Sequence, residues 1–196
     1  MDASTALQLL LDVHRLKRTP RTGWVMRGVA DAESVADHSF GVAFLSLILA
    51  ELVGQPLDRA KLLAIALLHD LPESVVSDLP TPAAAHFPIG AKRKAETEVL
   101  NTLLRRLDCA EQWAAWWWEF EDGTSAEGRL VRDADRLDML IQAYVYEQTT
   151  GNRWLEEFWS SPEALSFEFA AAHALYEELL ALREQPVVQG ASCPTD

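Results

Sequence analysis

Residues 34–53 read SVADHSFGVAFLSLILAELV, and their apolar side chains recur at the spacing of an α-helix rather than at the two-residue period of a strand. The apolar stripe runs through Val35, Val42, Leu45, Leu49 and Leu52. Ser34 is a favourable N-cap residue and Asp37 follows it by three positions, as in a capping box. The segment therefore predicts a helix that begins near Ser34 and ends at about Val53, before Gly54.

His38 fills a vacant place in this stripe, three residues after Val35 and four residues before Val42. Its imidazole is therefore expected to point into the core, where a polar group needs a partner. Two interpretations are open for such a residue. A lone inward histidine is commonly a hydrogen-bonded core residue, and the alternative is a metal ligand.

The same helical spacing continues along almost the whole chain of 196 residues, so an all-α fold is predicted. One domain is expected over residues 1–185, and residues 186–196 read as a loose C-terminal tail. Helices are predicted at about 4–17, 34–53, 58–70, 90–107, 109–121, 125–150, 152–159 and 162–184.

Three more candidate metal ligands lie at the ends or beside the apolar faces of later helices. Helical spacing after Ile65 and Ala66 brings His69 onto the core side, with Asp70 next to it. In the segment 125–150, the apolar row is Leu130, Ala134, Leu137, Ile141 and Tyr144, with Asp135 and Asp138 one position around the helix. A solvated face is the alternative for the group formed by Asp133, Asp135 and Asp138. Two imidazoles and two carboxylates, from His38, His69, Asp70 and Asp135, would suit a divalent transition metal.

 From Val13 to Ala30 there are five basic side chains and no Asp or Glu. Such a segment is either a solvated basic helix end followed by a turn or, close to a metal site, a clamp for phosphate. The chain as a whole is acidic, with a formal net charge of −13, which argues against general affinity for nucleic acid. A small anionic substrate would need a local basic patch such as this segment.

The two cysteines, Cys109 and Cys193, are far apart and form no CxxC motif, which favours a reducing, cytoplasmic setting without a disulfide framework. The N-terminus lacks a basic region followed by an apolar stretch. The most apolar segment, Val42–Ala50, is far shorter than the roughly 20 residues that span a bilayer. We therefore expect a cytoplasmic protein that does not enter membranes.

Three extended segments narrow these expectations. They are LKRTPRTGWVMRGVADAESVADHS at 16–39, LLHDLPESVVSDLPTP at 67–82 and VRDADRLDMLIQAYVYE at 131–147. Together with the order His38, His69-Asp70 and Asp135, they resemble the HD-domain superfamily of metal-dependent phosphohydrolases, in its 5′-deoxynucleotidase branch. The resemblance covers roughly residues 7–185.

The resemblance implies a single-domain HD-domain helical bundle that removes the 5′-phosphate from deoxyribonucleoside monophosphates, giving nucleoside and phosphate. It implies one divalent ion, with Co or Mn favoured and Mg or Zn as alternatives, held by His38, His69, Asp70 and Asp135. Another nucleotide or analogue, including a di- or triphosphate, stays open as the substrate. A non-catalytic, metal-bound nucleotide sensor is the alternative from another class of function.

The resemblance also implies roles for residues around the metal. Glu73 would exchange protons near the attacking water, and Asp78 would lie at the substrate pocket. An exposed carboxylate near a helix start is the alternative for Glu73. Arg21 would bind phosphate and Trp24 would contact the sugar, with core packing as the alternative for Trp24. Since the spacing here varies between family branches, Arg18 or Arg27 could replace Arg21. Thr81 is a weaker candidate for a hydrogen bond to phosphate or sugar.

The run Trp116-Trp117-Trp118 cannot be buried entirely on one face of a helix. At least one of the three rings is expected to cover another helix, the tail or a second subunit. The run is interpreted as internal packing or as a dimer interface, and the resemblance is compatible with a homodimer.

Overall fold

The computed structural model describes residues 1–160 and 165–185, without the side chain of Thr81, and shows these residues folded into helices. The α-helices are α1 (Ala3–Val13), α2 (Thr22–Val25), α3 (Val35–Val53), α4 (Arg59–Leu68), α5 (Glu73–Val76), α6 (Thr81–Ala84), α7 (Ala91–Leu104), α8 (Ala110–Asp122), α9 (Ala126–Thr150) and α10 (Ala170–Glu184). Two 3₁₀ helices span His14–Arg18 and Arg153–Trp159. The all-α prediction is confirmed, and the predicted tail at 186–196 lies outside the described residues.

Helix α3 forms the centre of the bundle and packs against α4, α9 and α10. Its boundaries follow from its caps. Ser34 and Asp37 form the complete capping box that the sequence predicts, and the helix stops at Gly54, whose φ of 67° lies in the left-handed region. Val35, Val42 and Leu49 of the predicted stripe are fully buried, but Leu52 is 55% exposed, so its assignment to the core-facing stripe is wrong. The helix therefore places His38 in its first turns, inside the core.

The long helix α9 crosses α3 and supplies the other main wall of the core. Leu130, Ala134 and Leu137 are buried as predicted, but Leu140 takes the buried place that the sequence assigned to Ile141, which is 36% exposed. Asp133 is fully buried, so the interpretation of all three aspartates of this helix as a solvated face is wrong.

The buried carboxylate of Asp133 explains why the last helix begins later than predicted. It accepts hydrogen bonds from the backbone N–H of Glu168, at 2.9 Å, and of Phe169, at 2.8 Å. These bonds hold an extended backbone just before α10, which begins at Ala170 rather than at 162. The predicted helices at 4–17 and 152–159 differ as well, because 3₁₀ turns form His14–Arg18 and Arg153–Trp159.

Replacing Asp133 with Ala is expected to lower the free energy of unfolding by about 1–3 kcal/mol, because two buried N–H groups would lose their acceptor. Chemical denaturation measures the change. The Asp133→Asn variant should lose less, since its amide oxygen still accepts. Equal stability of Asp133→Ala and the parent protein would show that this carboxylate does not hold the start of α10.

Among the described residues, α3 alone is long and apolar enough to cross a membrane by length and composition, with a mean hydropathy of 1.5. The apolar segment considered in the sequence, Val42–Ala50, is shorter because it includes only the most apolar part of this helix. The core helix of a globular bundle passes the same test. Here α3 packs against α4 and α9 and carries the buried polar residues His38, Ser39 and Ser46.

Candidate active site

Three helical elements bring the four predicted metal ligands together. Helix α3 supplies His38, the end of α4 supplies His69 and Asp70, and the middle of α9 supplies Asp135. The Nε2 atom of His38 lies 3.1 Å from Oδ1 of Asp135 and 3.7 Å from Oδ2 of Asp70. Nε2 of His69 lies 3.3 Å from the same Asp70 oxygen. All four side chains therefore face one small volume.

This volume fits a divalent metal ion. The Nε2 atoms of His38 and His69 are buried, and neither has a partner with hydrogen-bond geometry in the described part of the chain. Ligand atoms of His38, His69 and Asp135 all lie within 4.8 Å of one another. Buried nitrogen atoms that converge with carboxylates are the donor set of a Zn, Mn, Fe or Co site, and such a set does not select one of these metals.

The other ring nitrogen of each histidine, Nδ1, lies at hydrogen-bond distance from an oxygen atom. Nδ1 of His38 lies 2.8 Å from Oδ2 of Asp138, and Nδ1 of His69 lies 2.7 Å from the carbonyl oxygen of Ala66. Because both acceptors require a proton on Nδ1, the lone pair of each Nε2 is left free for a metal. The carbonyl group of His69 also accepts a hydrogen bond from Nε1 of Trp117, at 3.0 Å.

The supporting role of Asp138 was missed in the sequence, although its position beside the core was visible. Replacing Asp138 with Ala is expected to weaken metal binding by about 10- to 100-fold, because His38 would lose the acceptor that fixes its tautomer and orientation. Titration of the metal-stripped protein measures this affinity. Asp138→Asn should retain more affinity, since its amide oxygen can still accept from Nδ1. Unchanged affinity in Asp138→Ala would refute the supporting role.

The charges of the ligands favour cation binding. Burial alone would lower the pKa of His69, but the carboxylates of Asp70 and Asp135 raise that pKa to about 9. Burial opposes ionisation of Asp70, yet His69, Arg21 and His38 hold the pKa of this carboxyl well below its usual value. Both shifts show that the cluster stabilises positive charge, and a divalent cation would supply that charge in place of protons.

Glu73, in the first turn of α5, lies beside this centre and is not exposed. The residue is 3% exposed, and its Oε2 atom has no hydrogen-bond partner among the described residues. Burial, followed by the negative charges of Asp70 and Asp78, raises the pKa of Glu73 to about 9. A carboxyl group that holds a proton at neutral pH can act as an acid, and a nearby cation would lower its pKa toward the range of a base.

A pocket of about 730 Å³ opens onto these groups. Its wall includes His69, Asp70, Glu73, Asp78 and Asp135. The guanidinium group of Arg21 also lines it, with Nη1 at 3.4 Å from Oδ2 of Asp70. One cationic side chain thus stands directly beside the candidate metal ligands.

Asp78 joins two segments of the chain at this pocket through hydrogen bonds to Thr22. Its Oδ2 accepts a hydrogen bond from the backbone N–H of Thr22 at 2.6 Å, and its carbonyl oxygen accepts one from the hydroxyl group of Thr22 at 2.8 Å. The carboxylate of Asp78 is therefore engaged in holding the segment that carries Arg21 and Trp24.

Trp24 is 1% exposed, and its ring packs against Tyr146 and Phe158, yet it also contributes to the pocket wall. Core packing and pocket lining are thus combined in this residue. Arg27 lines the pocket as well, paired with Glu157, with its guanidinium group over the ring of Phe158.

The remaining predicted positions are less directly connected to the pocket. Arg18 is exposed at the end of a 3₁₀ helix and does not line the pocket. The side chain of Thr81 lies outside the described residues. Of the three consecutive tryptophans, Trp117 is buried, and Trp116 and Trp118 pack against buried residues of the same chain. The run therefore takes part in internal packing.

Comparisons with known proteins agree with this geometry. Residues 13–170 match the HD domain family. The chain is 33% identical over 195 residues to the 5′-deoxynucleotidase HDDC2 of Bos taurus, covering 98% of this chain and 92% of that protein. It is also 33% identical to the 5′-deoxynucleotidase YGK1 of Saccharomyces cerevisiae over 161 residues, which cover 78% of this chain and 72% of that protein.

Solved structures show the same fold. A conserved hypothetical protein from Pyrococcus furiosus superimposes with a TM-score of 0.76 at 38% identity, covering 91% of this chain and 99% of that chain. A protein described as a predicted metal-dependent phosphohydrolase, from Magnetospirillum magnetotacticum, has a TM-score of 0.68 at 21% identity, covering 92% and 91% of the two chains. The second likeness concerns the fold alone. By sequence and by fold, the chain belongs to the HD domain family.

Proposed function

We propose that the protein is a metal-dependent phosphohydrolase that removes the 5′-phosphate from deoxyribonucleoside monophosphates and releases nucleoside and phosphate. The observation that carries this proposal is the meeting of His38, His69, Asp70 and Asp135 with Arg21 at one pocket. The 5′-deoxynucleotidase names of the curated relatives support the substrate class.

A phosphate monoester dianion repels nucleophiles, so its hydrolysis needs charge neutralisation, an oriented water and a proton for the leaving oxygen. A divalent ion bound by the four ligands would supply a Lewis acid for phosphate and water. Arg21 adds positive charge at the same pocket and can pair with phosphate oxygens. Glu73 is placed to hold the proton that the reaction moves, because it is buried next to Asp70 and Asp78.

The sugar would lie against the segment that contains Trp24, a residue that lines the pocket although it is only 1% exposed. We also propose Co or Mn as the activating ion, with Mg or Zn as alternatives. The mixed imidazole and carboxylate donors suit a divalent transition metal, and the preference for Co or Mn rests on the resemblance to the HD-domain phosphohydrolases.

One assay tests the activity and the metal together. Metal-stripped protein is incubated with Co, Mn, Mg or Zn and with deoxyribonucleoside monophosphates, ribonucleotides or triphosphates, and released phosphate is measured. The highest rate of phosphate release is expected with a deoxyribonucleoside monophosphate and a transition metal. A preference for triphosphates would redirect the substrate assignment. Nucleotide binding without turnover under every condition would instead favour a sensor.

The three candidate arginines make a matched set for the phosphate contact. Arg21→Ala is expected to lower kcat/KM by roughly 100-fold, because a cationic donor beside the candidate metal ligands would be lost. Arg18→Ala, an exposed position outside the pocket, should stay within about twofold of the parent. Steady-state kinetics compare the variants. A large loss in Arg27→Ala with full activity in Arg21→Ala would transfer the phosphate role to Arg27.

We further propose that two copies of the chain associate through an exposed apolar row on α3. The row repeats every four residues at Phe40, Phe44, Ile48 and Leu52, and Phe40 and Phe44 are 73% and 59% exposed. Their rings stack with centroids 6.5 Å apart. A fully exposed phenylalanine presents about 200 Å², so these two rings offer roughly 250 Å². With the rest of the row, this is a suitable core for an interface of about 800 Å² on each partner.

Light scattering after gel filtration, at several concentrations, tests this association. A dimer is expected for the parent protein and a monomer for the double variant Phe40→Ser/Phe44→Ser. The matched control is Leu7→Ser/Leu11→Ser, which removes two exposed leucines from α1 and should leave the dimer intact. A monomeric parent, or a dimer that survives the α3 substitutions, would contradict the proposal.

A cytoplasmic location, with neither nucleic acid nor membrane as a partner, is proposed from the acidic charge and the cysteine pattern.

A further inference from the structure

One carboxylate near the pocket, that of Glu33, belongs neither to the four candidate ligands nor to the proposed proton transfer. Its Oε1 accepts a hydrogen bond from Nε1 of Trp24 at 2.9 Å. Its backbone carbonyl oxygen accepts a hydrogen bond from the backbone N–H of Arg21 at 2.9 Å. A single residue therefore contacts both members of the Arg21–Trp24 segment that faces the substrate pocket.

Glu33 is also tied to the helices that carry the metal ligands. Its backbone N–H donates to the hydroxyl oxygen of Tyr146, on α9, at 2.8 Å. The next residue, Ser34, is the N-cap of α3 and begins the helix that holds His38. The contacts of Glu33 thus connect the substrate-facing segment to the two helices that supply His38 and Asp135.

The carboxylate of Glu33 is close enough to His38 and Asp138 for these three residues to be considered a second metal site. The contacts present argue against that assignment. Nδ1 of His38 is already bonded to Asp138, and Glu33 Oε1 is already bonded to the indole of Trp24. Burial raises the pKa of Glu33, which the hydrogen bond from Trp24 opposes. The carboxylate therefore acts here as a hydrogen-bond acceptor.

We propose that Glu33 is a positioning residue that sets the place of Trp24, and with it the substrate wall of the pocket, relative to the metal ligands. The inference rests on the proposed function in that Trp24 and Arg21 are taken to face a nucleotide. The side-chain bond is the part that substitution can remove, because the backbone bond to Arg21 does not depend on the side chain. Loss of the acceptor would leave the indole N–H of a buried tryptophan unpaired.

Two variants at position 33 separate this role from a general structural one. Glu33→Ala removes the acceptor, and Glu33→Gln keeps an amide oxygen at a similar distance from the backbone. The matched controls are Asp31→Ala and Asp31→Asn, which change an exposed acidic residue of the same segment. Metal content, circular dichroism and nitrogen–proton NMR spectra confirm that each variant is folded and loaded.

The first measurement does not depend on catalysis. The indole N–H resonance of Trp24, assigned by its loss in Trp24→Phe, is expected to shift and to exchange faster with solvent in Glu33→Ala. Glu33→Gln should restore most of its protection, and both Asp31 variants should resemble the parent. An indole signal that is unchanged in Glu33→Ala would overturn the inference, whether or not the protein hydrolyses nucleotides.

The second measurement is the division of the effect between KM and kcat for a deoxyribonucleoside monophosphate. Glu33→Ala is expected to raise KM by about tenfold with kcat within about threefold of the parent, and Glu33→Gln to recover most of that loss. Loss of kcat together with metal would instead assign Glu33 to the metal site and refute the positioning role. Absence of turnover in the parent would refute the proposed function alone, because the NMR result still decides the inference.

Discussion

Asp135→Ala is expected to lose the bound divalent ion and to lower the rate of phosphate release by about three orders of magnitude or more. The reason is that a catalytic metal stabilises the transition state by several kcal/mol. Asp135 lies 3.1 Å from Nε2 of His38, and its carboxylate is one of two that balance the imidazoles. Metal analysis after gel filtration and a phosphate-release assay measure the two losses. The matched control is Asp108→Ala, an exposed aspartate away from the pocket, which should keep both metal and activity.

The two losses are expected to occur together. A folded Asp135→Ala protein that keeps a full equivalent of metal would remove Asp135 from the ligand set, even if its activity fell. Circular dichroism distinguishes loss of metal from loss of fold. Full activity in this variant would contradict the proposed site as a whole, since the converging ligands are the observation on which that site rests.

Glu73→Ala is expected to keep the metal and to lose most hydrolysis, by about 100- to 10,000-fold, the range typical of a general acid or base. The reason is that Glu73 is buried next to Asp70 and Asp78 without being one of the converging ligands. Glu73→Gln should show the same pattern, because an amide retains the shape but cannot exchange the proton. Glu98→Ala, an exposed glutamate on α7, is the matched control.

Metal analysis and single-turnover phosphate release separate the effects of this substitution. Equal activity in Glu73→Ala and the parent protein would exclude Glu73 from the mechanism. Loss of metal in Glu73→Ala would move this residue into the ligand set instead. Burial, followed by the charges of Asp70 and Asp78, raises the pKa of Glu73 to about 9 in the protein without a metal. The pH profile of the metal-bound enzyme therefore also reports how far the cation lowers this pKa.

The sequence predicted the parts of the site that depend on local periodicity. His38 fills a gap in an apolar stripe, and the structure buries it. The capping box at Ser34 and the stop at Gly54 define α3 as the sequence suggests, because both depend on residues only a few positions apart. Helical spacing made the four residues candidate ligands and the resemblance assigned them that role, whereas their convergence is a property of the folded bundle.

Contacts between distant parts of the chain were not visible in the same way. The bond from His38 to Asp138 joins residues 100 positions apart, and the bond from Glu33 to Tyr146 joins residues 113 positions apart. Asp133 was open to interpretation as solvated, since a helix pattern alone does not show that an aspartate caps another segment. The four-residue helices α2 and α5 are too short for periodicity to reveal them.

Because the candidate ligands come from separate helices, a bound ion would also affect the stability of the fold. His38 and His69 are 31 positions apart, and Asp70 and Asp135 are 65 positions apart, so one ion would join three distant points of the chain. Coordination would then act as a reversible cross-link that closes two long loops. Any ion that binds the folded chain and not the unfolded chain adds its binding free energy to that of folding. The midpoint temperature of thermal unfolding should therefore rise with the concentration of metal. A chelator would lower both the stability of the fold and the hydrolytic activity.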